Sequence, residues 1–148
     1  MNDPSIFRFF NEIGIINQLA STKLGSVLPD SLKMSQFSVL NHLVRLGGEW
    51  SPLRLAKAFQ VTKGAMTNTL NRLEKRALIE IRPDPEDGRG KLVRITAKGE
   101  KMRQECLMAI DPFIQKIEEE LGLTDFTNSL PALEKVRKYL DEERFKDT

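Results

Sequence analysis

Arg82-Pro-Asp-Pro-Glu-Asp-Gly-Arg-Gly-Lys-Leu-Val-Arg-Ile-Thr96 is the stretch on which the reading of this chain turns. With the residues before it, it sets a charged, turn-rich tip between two short apolar runs, Leu78-Ile79-Glu80-Ile81 and Leu92-Val93-Arg94-Ile95. Both runs mix apolar and charged residues at near-alternating spacing, the period of a half-buried strand. Pro83, Pro85, Gly88 and Gly90 exclude helix between them and suit an exposed loop. The reading is a β-hairpin with a long tip bearing Arg89 and Lys91. Gly88 and Gly90 are expected to allow a tight tip and a close backbone approach.

Working outward, residues 62–77 form the element before the hairpin. On a wheel at about 100° per residue, Met66, Leu70, Leu73 and Ala77 cluster as the buried side. The opposite face carries Gly64, Asn68, Asn71, Arg72 and Lys75 and no carboxylate, with Glu74 on the flank. Amide and guanidinium groups are the side chains that pair with purine edges in the major groove, Asn with adenine and Arg with guanine. Asn and Thr are mediocre helix formers, so their density in Thr67-Asn-Thr-Leu-Asn71 points to a use beyond solvation, with Thr69 nearer the buried side. Gly64 and Ala65 are small enough for close approach. Thr62 caps the helix, and with Lys63 and the free N–H groups it suits a phosphate. Arg89 can enter a narrow minor groove, drawn by its negative potential, with Asp87 orienting it through an ion pair until DNA is met. Helix plus basic hairpin is the arrangement of a winged helix on double-stranded DNA.

The remaining order supports that architecture. A first helix runs from near Pro4 to near Leu24, apolar over too much of its circumference for one packing partner. A break follows at Pro29-Asp30. Ser35 is expected to cap a second helix that stops at Gly47-Gly48. Trp50 reads as a short edge strand against the hairpin, and Ser51-Pro52 as the cap and first residue of a third helix. After the hairpin, Thr96 caps a fifth helix towards Leu121, with Pro112 expected to kink it. A sixth helix follows, which Pro131 is expected to break or restart.

Charge divides the 148-residue chain in the same way. Residues 62–103 carry 11 bases against 6 acids, while 104–148 carry 6 against 11. The net +2 of the whole therefore hides +5 on the helix and hairpin, where a polyanion could bind. No run reaches the roughly 18 apolar residues of a membrane span. The N-terminus lacks a signal-peptide pattern, and with the single Cys106 no intrachain disulfide can form. The expectation is a cytoplasmic protein.

Ser51-Pro-Leu-Arg-Leu-Ala-Lys57, Val61 through Arg76, Asp84-Pro-Glu-Asp-Gly-Arg89 and Ile95-Thr-Ala-Lys-Gly99 together resemble the MarR family of bacterial transcriptional regulators. The resemblance is strong over residues 35–103. It implies a mostly α chain with a small β-hairpin wing: an N-terminal dimerisation helix at 1–30, a winged helix-turn-helix lobe at 35–98, and a linker helix with a C-terminal dimerisation helix at 99–148. It further implies a homodimer on a pseudo-palindromic operator, and in many members control by a small molecule. Ala77 departs from the pattern, standing where the family usually has a glycine.

Within that frame the expected DNA contacts are Thr62, Lys63, Gly64, Ala65, Thr67, Asn68, Asn71, Arg72, Lys75, Arg89 and Lys91. Phe10, Asn17 and His42 are the candidates for a ligand cleft, whose effector could be aromatic, although His42 also suits plain packing. Cys106 lies on an apolar stripe and reads as structural. No catalytic set can be assembled around one histidine, and no metal site or cofactor is expected. A winged helix that contacts protein rather than DNA is the competing reading.

Overall fold

The computed structural model describes residues 3–144 and 146. Six helices and one hairpin follow in order: α1 (Ser5–Val27), a 3-10 turn (Pro29–Ser31), α2 (Met34–Leu46), α3 (Pro52–Phe59), α4 (Lys63–Lys75), β1 (Ile79–Pro83), β2 (Lys91–Ile95), α5 (Ala97–Leu121) and α6 (Thr124–Glu143). The expected helical fold with a small hairpin is therefore observed.

Two compact units divide the chain, Met1–Ile110 and Asp111–Thr148. The first gathers α2, α3, α4, the hairpin and the start of α5 around one core. Leu40, Leu43, Leu55, Leu70, Leu73, Leu78, Val93 and Cys106 are all at most 1% exposed there. Leu24 and Val27, at the end of α1, pack against this core. The second unit consists of the rest of α5 and α6, and α6 buries no residue.

The hairpin pairs Ile79 with Ile95 through Pro83 with Lys91, antiparallel. Trp50 adds a one-residue third strand: its N–H donates to the Val93 carbonyl at 3.0 Å and its carbonyl accepts from Val93 N–H at 2.8 Å. This is the edge strand expected of Trp50. Two caps match the reading as well. The Ser51 hydroxyl accepts from Arg54 N–H at 3.2 Å, and Thr96 Oγ1 accepts from Gly99 N–H at 3.0 Å.

Several expectations are corrected. α2 begins at Met34, so Ser35 lies inside it; Lys33 is the N-cap, and the buried Gln36 accepts its N–H at 3.0 Å. An amide three residues into the helix satisfies a backbone donor as well as a serine cap does. α6 runs through Pro131 without the expected break. The proline removes one backbone donor, and the helix continues on either side of it. Ala77 is not on the buried face of α4. It follows the helix, exposed, in the left-handed region at φ 57°.

Candidate nucleic-acid interface

α4 is set on the core by Met66, Leu70 and Leu73, each at most 3% exposed. Their i, i+4, i+7 spacing fixes the roll of the helix, and that roll turns Lys63, Gly64, Ala65, Thr67, Asn68, Asn71, Arg72 and Lys75 to solvent. Thr69 is half-buried, its hydroxyl donating to the Ala65 carbonyl at 3.2 Å. Thr62 is the N-cap: its Oγ1 accepts from Ala65 N–H at 3.1 Å. The cap orients the first turn of α4 and leaves Lys63 at its open end.

The helix ends in a Schellman motif. Ala77 N–H donates to Glu74 O at 2.9 Å and Leu78 N–H to Leu73 O at 3.1 Å, with Ala77 at the position that favours glycine. Here the departure from the family pattern becomes physical. The same backbone geometry forms around an alanine, at the cost of a left-handed residue with a side chain.

The four bases of the hairpin divide into two pairs. At its base, Arg82 pairs with Glu49, and Arg94 pairs with its cross-strand neighbour Glu80 at 2.7 Å. At its far end, Arg89 and Lys91 are exposed and have no carboxylate partner among the described residues. The same holds for Lys63, Arg72 and Lys75 on α4. The expected ion pair between Asp87 and Arg89 is absent. Asp87 Oδ1 instead accepts from the Arg89 backbone N–H at 3.1 Å, and Gly90 N–H donates to the Asp87 carbonyl at 2.9 Å. Asp84 does the same one turn earlier, with Oδ1 accepting from Glu86 N–H at 2.9 Å. Asp87 therefore orients Arg89 through the backbone and leaves the guanidinium unneutralised. Gly90 has a steric role, because a Cβ there would stand 3.3 Å from the Asp84 Cβ; Gly88 has open space around it.

Phe10, Asn17 and His42 are not drawn together by the contacts of the described residues. Phe10 meets Phe9 edge-on, Asn17 accepts from Ser21 along α1, and His42 packs at 4.5 Å from Trp50 and 5.2 Å from Phe59. His42 thus makes the ring packing that was its other expected use. A cavity of about 340 Å³ lies elsewhere in the lobe, with Leu43, Val44, Gly47, Glu49, Arg94 and Glu100 among its walls. Cys106 is fully buried, and its thiol is pushed up to about 11 by that burial. Among the described residues no group of His, Cys, Asp or Glu is placed to hold a metal ion. No helix is long and apolar enough to cross a membrane. The contact that the sequence did not reveal is Arg54, whose guanidinium lies 4.2 Å over the Trp50 ring. Two residues four apart across a cap carry no periodic signal.

A profile of the MarR family matches residues 30–90. The multiple antibiotic resistance protein MarR of Escherichia coli is 30% identical over 127 residues, 85% of each chain. The chain belongs to the MarR family. The MarR of Salmonella typhimurium is 36% identical over 95 residues, 64% of this chain and 65% of its own length. Among solved structures, an E. coli MarR mutant complexed with operator DNA superposes with a TM-score of 0.72 at 28% identity, covering 88% of this chain and 94% of that one. The segment matched by the MarR profile holds α2, α3, α4, β1 and the hairpin tip, and with them the exposed cations Lys63, Arg72, Lys75 and Arg89; Lys91 follows just beyond it.

Proposed function

We propose that this MarR-family chain is a sequence-specific DNA-binding transcriptional regulator, not an enzyme, acting as a homodimeric repressor on a pseudo-palindromic operator in the cytoplasm. The observation that carries this is the exposed face of α4, with amides and unpaired cations and no carboxylate opposite the core residues Met66, Leu70 and Leu73. The structural likeness to a MarR bound to operator DNA supports it. In this reading Asn68, Asn71 and Arg72 read base edges in the major groove, while Thr62, Lys63, Thr67 and Lys75 hold phosphates and Gly64 and Ala65 allow close approach. Arg89 enters the flanking minor groove, Lys91 meets its phosphates, and Asp87 sets the turn between them. Two such lobes about one helical turn apart match a palindrome. A small-molecule effector would act through its difference in affinity between DNA-bound and free spacings of the lobes.

Selection of bound fragments from random-sequence duplexes, followed by titration of variants, tests the reading. Asn71→Ala should cost roughly 1–3 kcal/mol and relax preference at one base position. Arg89→Ala should weaken binding chiefly on A·T-rich flanks. Failure of the wild type to bind any duplex at low salt would return the winged helix to a protein-contact role. Uniform weakening by Asn71→Ala across all sequences would mean a different face of α4 reads the bases.

A further inference from the structure

We propose that Arg54 is a phosphate-binding residue between the wing and the reading helix, aimed by Trp50; this rests on the DNA-binding reading above. Arg54 stands in the first turn of α3, with its guanidinium 4.2 Å over the Trp50 ring. Trp50 is a fixed platform. Its backbone exchanges two hydrogen bonds with Val93, its Nε1 donates to the Gly47 carbonyl at 2.9 Å, and the His42 ring meets it at 4.5 Å.

A guanidinium held over an indole face uses none of its N–H donors in that contact, and its fork can grip a phosphate bidentately. Among the described residues no carboxylate neutralises Arg54, although Arg82 and Arg94 of the adjoining hairpin each have a glutamate. Arg45 and Arg54 both act against protonation of His42, so no counter-charge on that ring draws Arg54 away. A preorganised, unneutralised cation is poised for an anion.

Position supplies the kind of anion. Val93, which carries Trp50, lies two residues along β2 from Lys91, about 7 Å at strand rise. α3 leads directly through Gln60 and Val61 into the cap of α4. Arg54 on α3 thus adjoins both readers, the wing through Trp50 and Val93 and the reading helix through the turn into α4. A duplex read by both must pass a sugar-phosphate strand between them, and contacts to that strand set register without reading sequence.

The test uses the full chain and a labelled duplex obtained by selection with the wild type, titrated by fluorescence anisotropy over a series of salt concentrations. Arg54→Gln should lower the slope of log affinity against log salt by about 0.9. It should weaken selected and scrambled duplexes by the same factor. Arg54→Lys should restore the slope, while binding more weakly than wild type because the fork is lost. Arg8→Gln on α1 should leave the slope at the wild-type value. An unchanged slope in Arg54→Gln overturns the proposal, and so does an equal fall in Arg8→Gln, which would reflect bulk charge. A wild type that binds no duplex overturns the DNA reading itself.

Discussion

Ala77 and His42 show how much depends on single side chains in this lobe. Ala77 completes the Schellman motif of α4 at φ 57°, where a Cβ crowds the backbone and glycine does not. Ala77→Gly should therefore raise stability by about 1 kcal/mol, the left-handed penalty less the extra freedom of glycine in the unfolded chain. Urea denaturation reads the change, and a lower midpoint for the variant would contradict this account of the cap. His42 is governed by its surroundings. Burial first, then Arg45 and Arg54, holds its pKa below 6.5, and its buried Nε2 has no hydrogen-bond partner. With the folded pKa depressed, the unfolded chain takes up the proton more readily. Stability is full above about pH 6.5 and falls as the pH drops below it. Comparing urea midpoints at neutral pH and near pH 5, for wild type and His42→Phe, should show the larger acid loss in the wild type. Trp50, the chain's single tryptophan, supplies the fluorescence.

At the scale of elements, the end of α4 is held by the start of α5. Thr96 N–H donates to Leu78 O at 3.1 Å, Thr96 Oγ1 to Ala77 O at 2.7 Å and Lys98 Nζ to Arg76 O at 2.8 Å. Gly99 explains the closeness, since a Cβ there would fall 2.0 Å from the Leu78 carbonyl oxygen. A backbone atom cannot swing away as a flexible side chain can. Gly99→Ala should destabilise the lobe by about 3 kcal/mol and lower its thermal midpoint, as overpacking of a tight site does. A midpoint within error of wild type would mean that the contact between α5 and Leu78 is looser than described. The clamp ties the first turn of α5 to the end of the reading helix. Thr96 and Gly99 were legible in the sequence as a cap and a motif, yet the reason for the glycine was not, because Leu78 lies on the other side of the hairpin.

For the whole molecule, the decisive fact is what the single chain leaves uncovered. α1 and α6 bury no residue, while Phe7, Ile16 and Leu19 of α1 and Leu130, Tyr139 and Leu140 of α6 are 48–69% exposed. Apolar faces of that extent mark an interaction surface, and a second copy of the chain is the occupant we propose. Sedimentation should give a dimeric mass and thermal melts a midpoint that rises with concentration. Ile16→Glu together with Leu19→Glu should abolish both, and a wild type that stays monomeric over the full concentration range would refute the dimer.

What the sequence determined by itself was local. The period of apolar residues rolls α4, the prolines and glycines open the hairpin tip, and the charge division marks the lobe, all from neighbours along the chain. The winged order and most of the exposed cations follow from those signals. Tertiary structure alone decided which cations are neutralised: Glu49 reaches Arg82 across 33 positions, while Asp87, two residues from Arg89, takes its backbone instead. It also packed His42 against Trp50, set Arg54 on that indole and required glycine at 99. Each of these depends on groups distant in sequence meeting at a few ångströms, and no periodicity within one element encodes such a meeting.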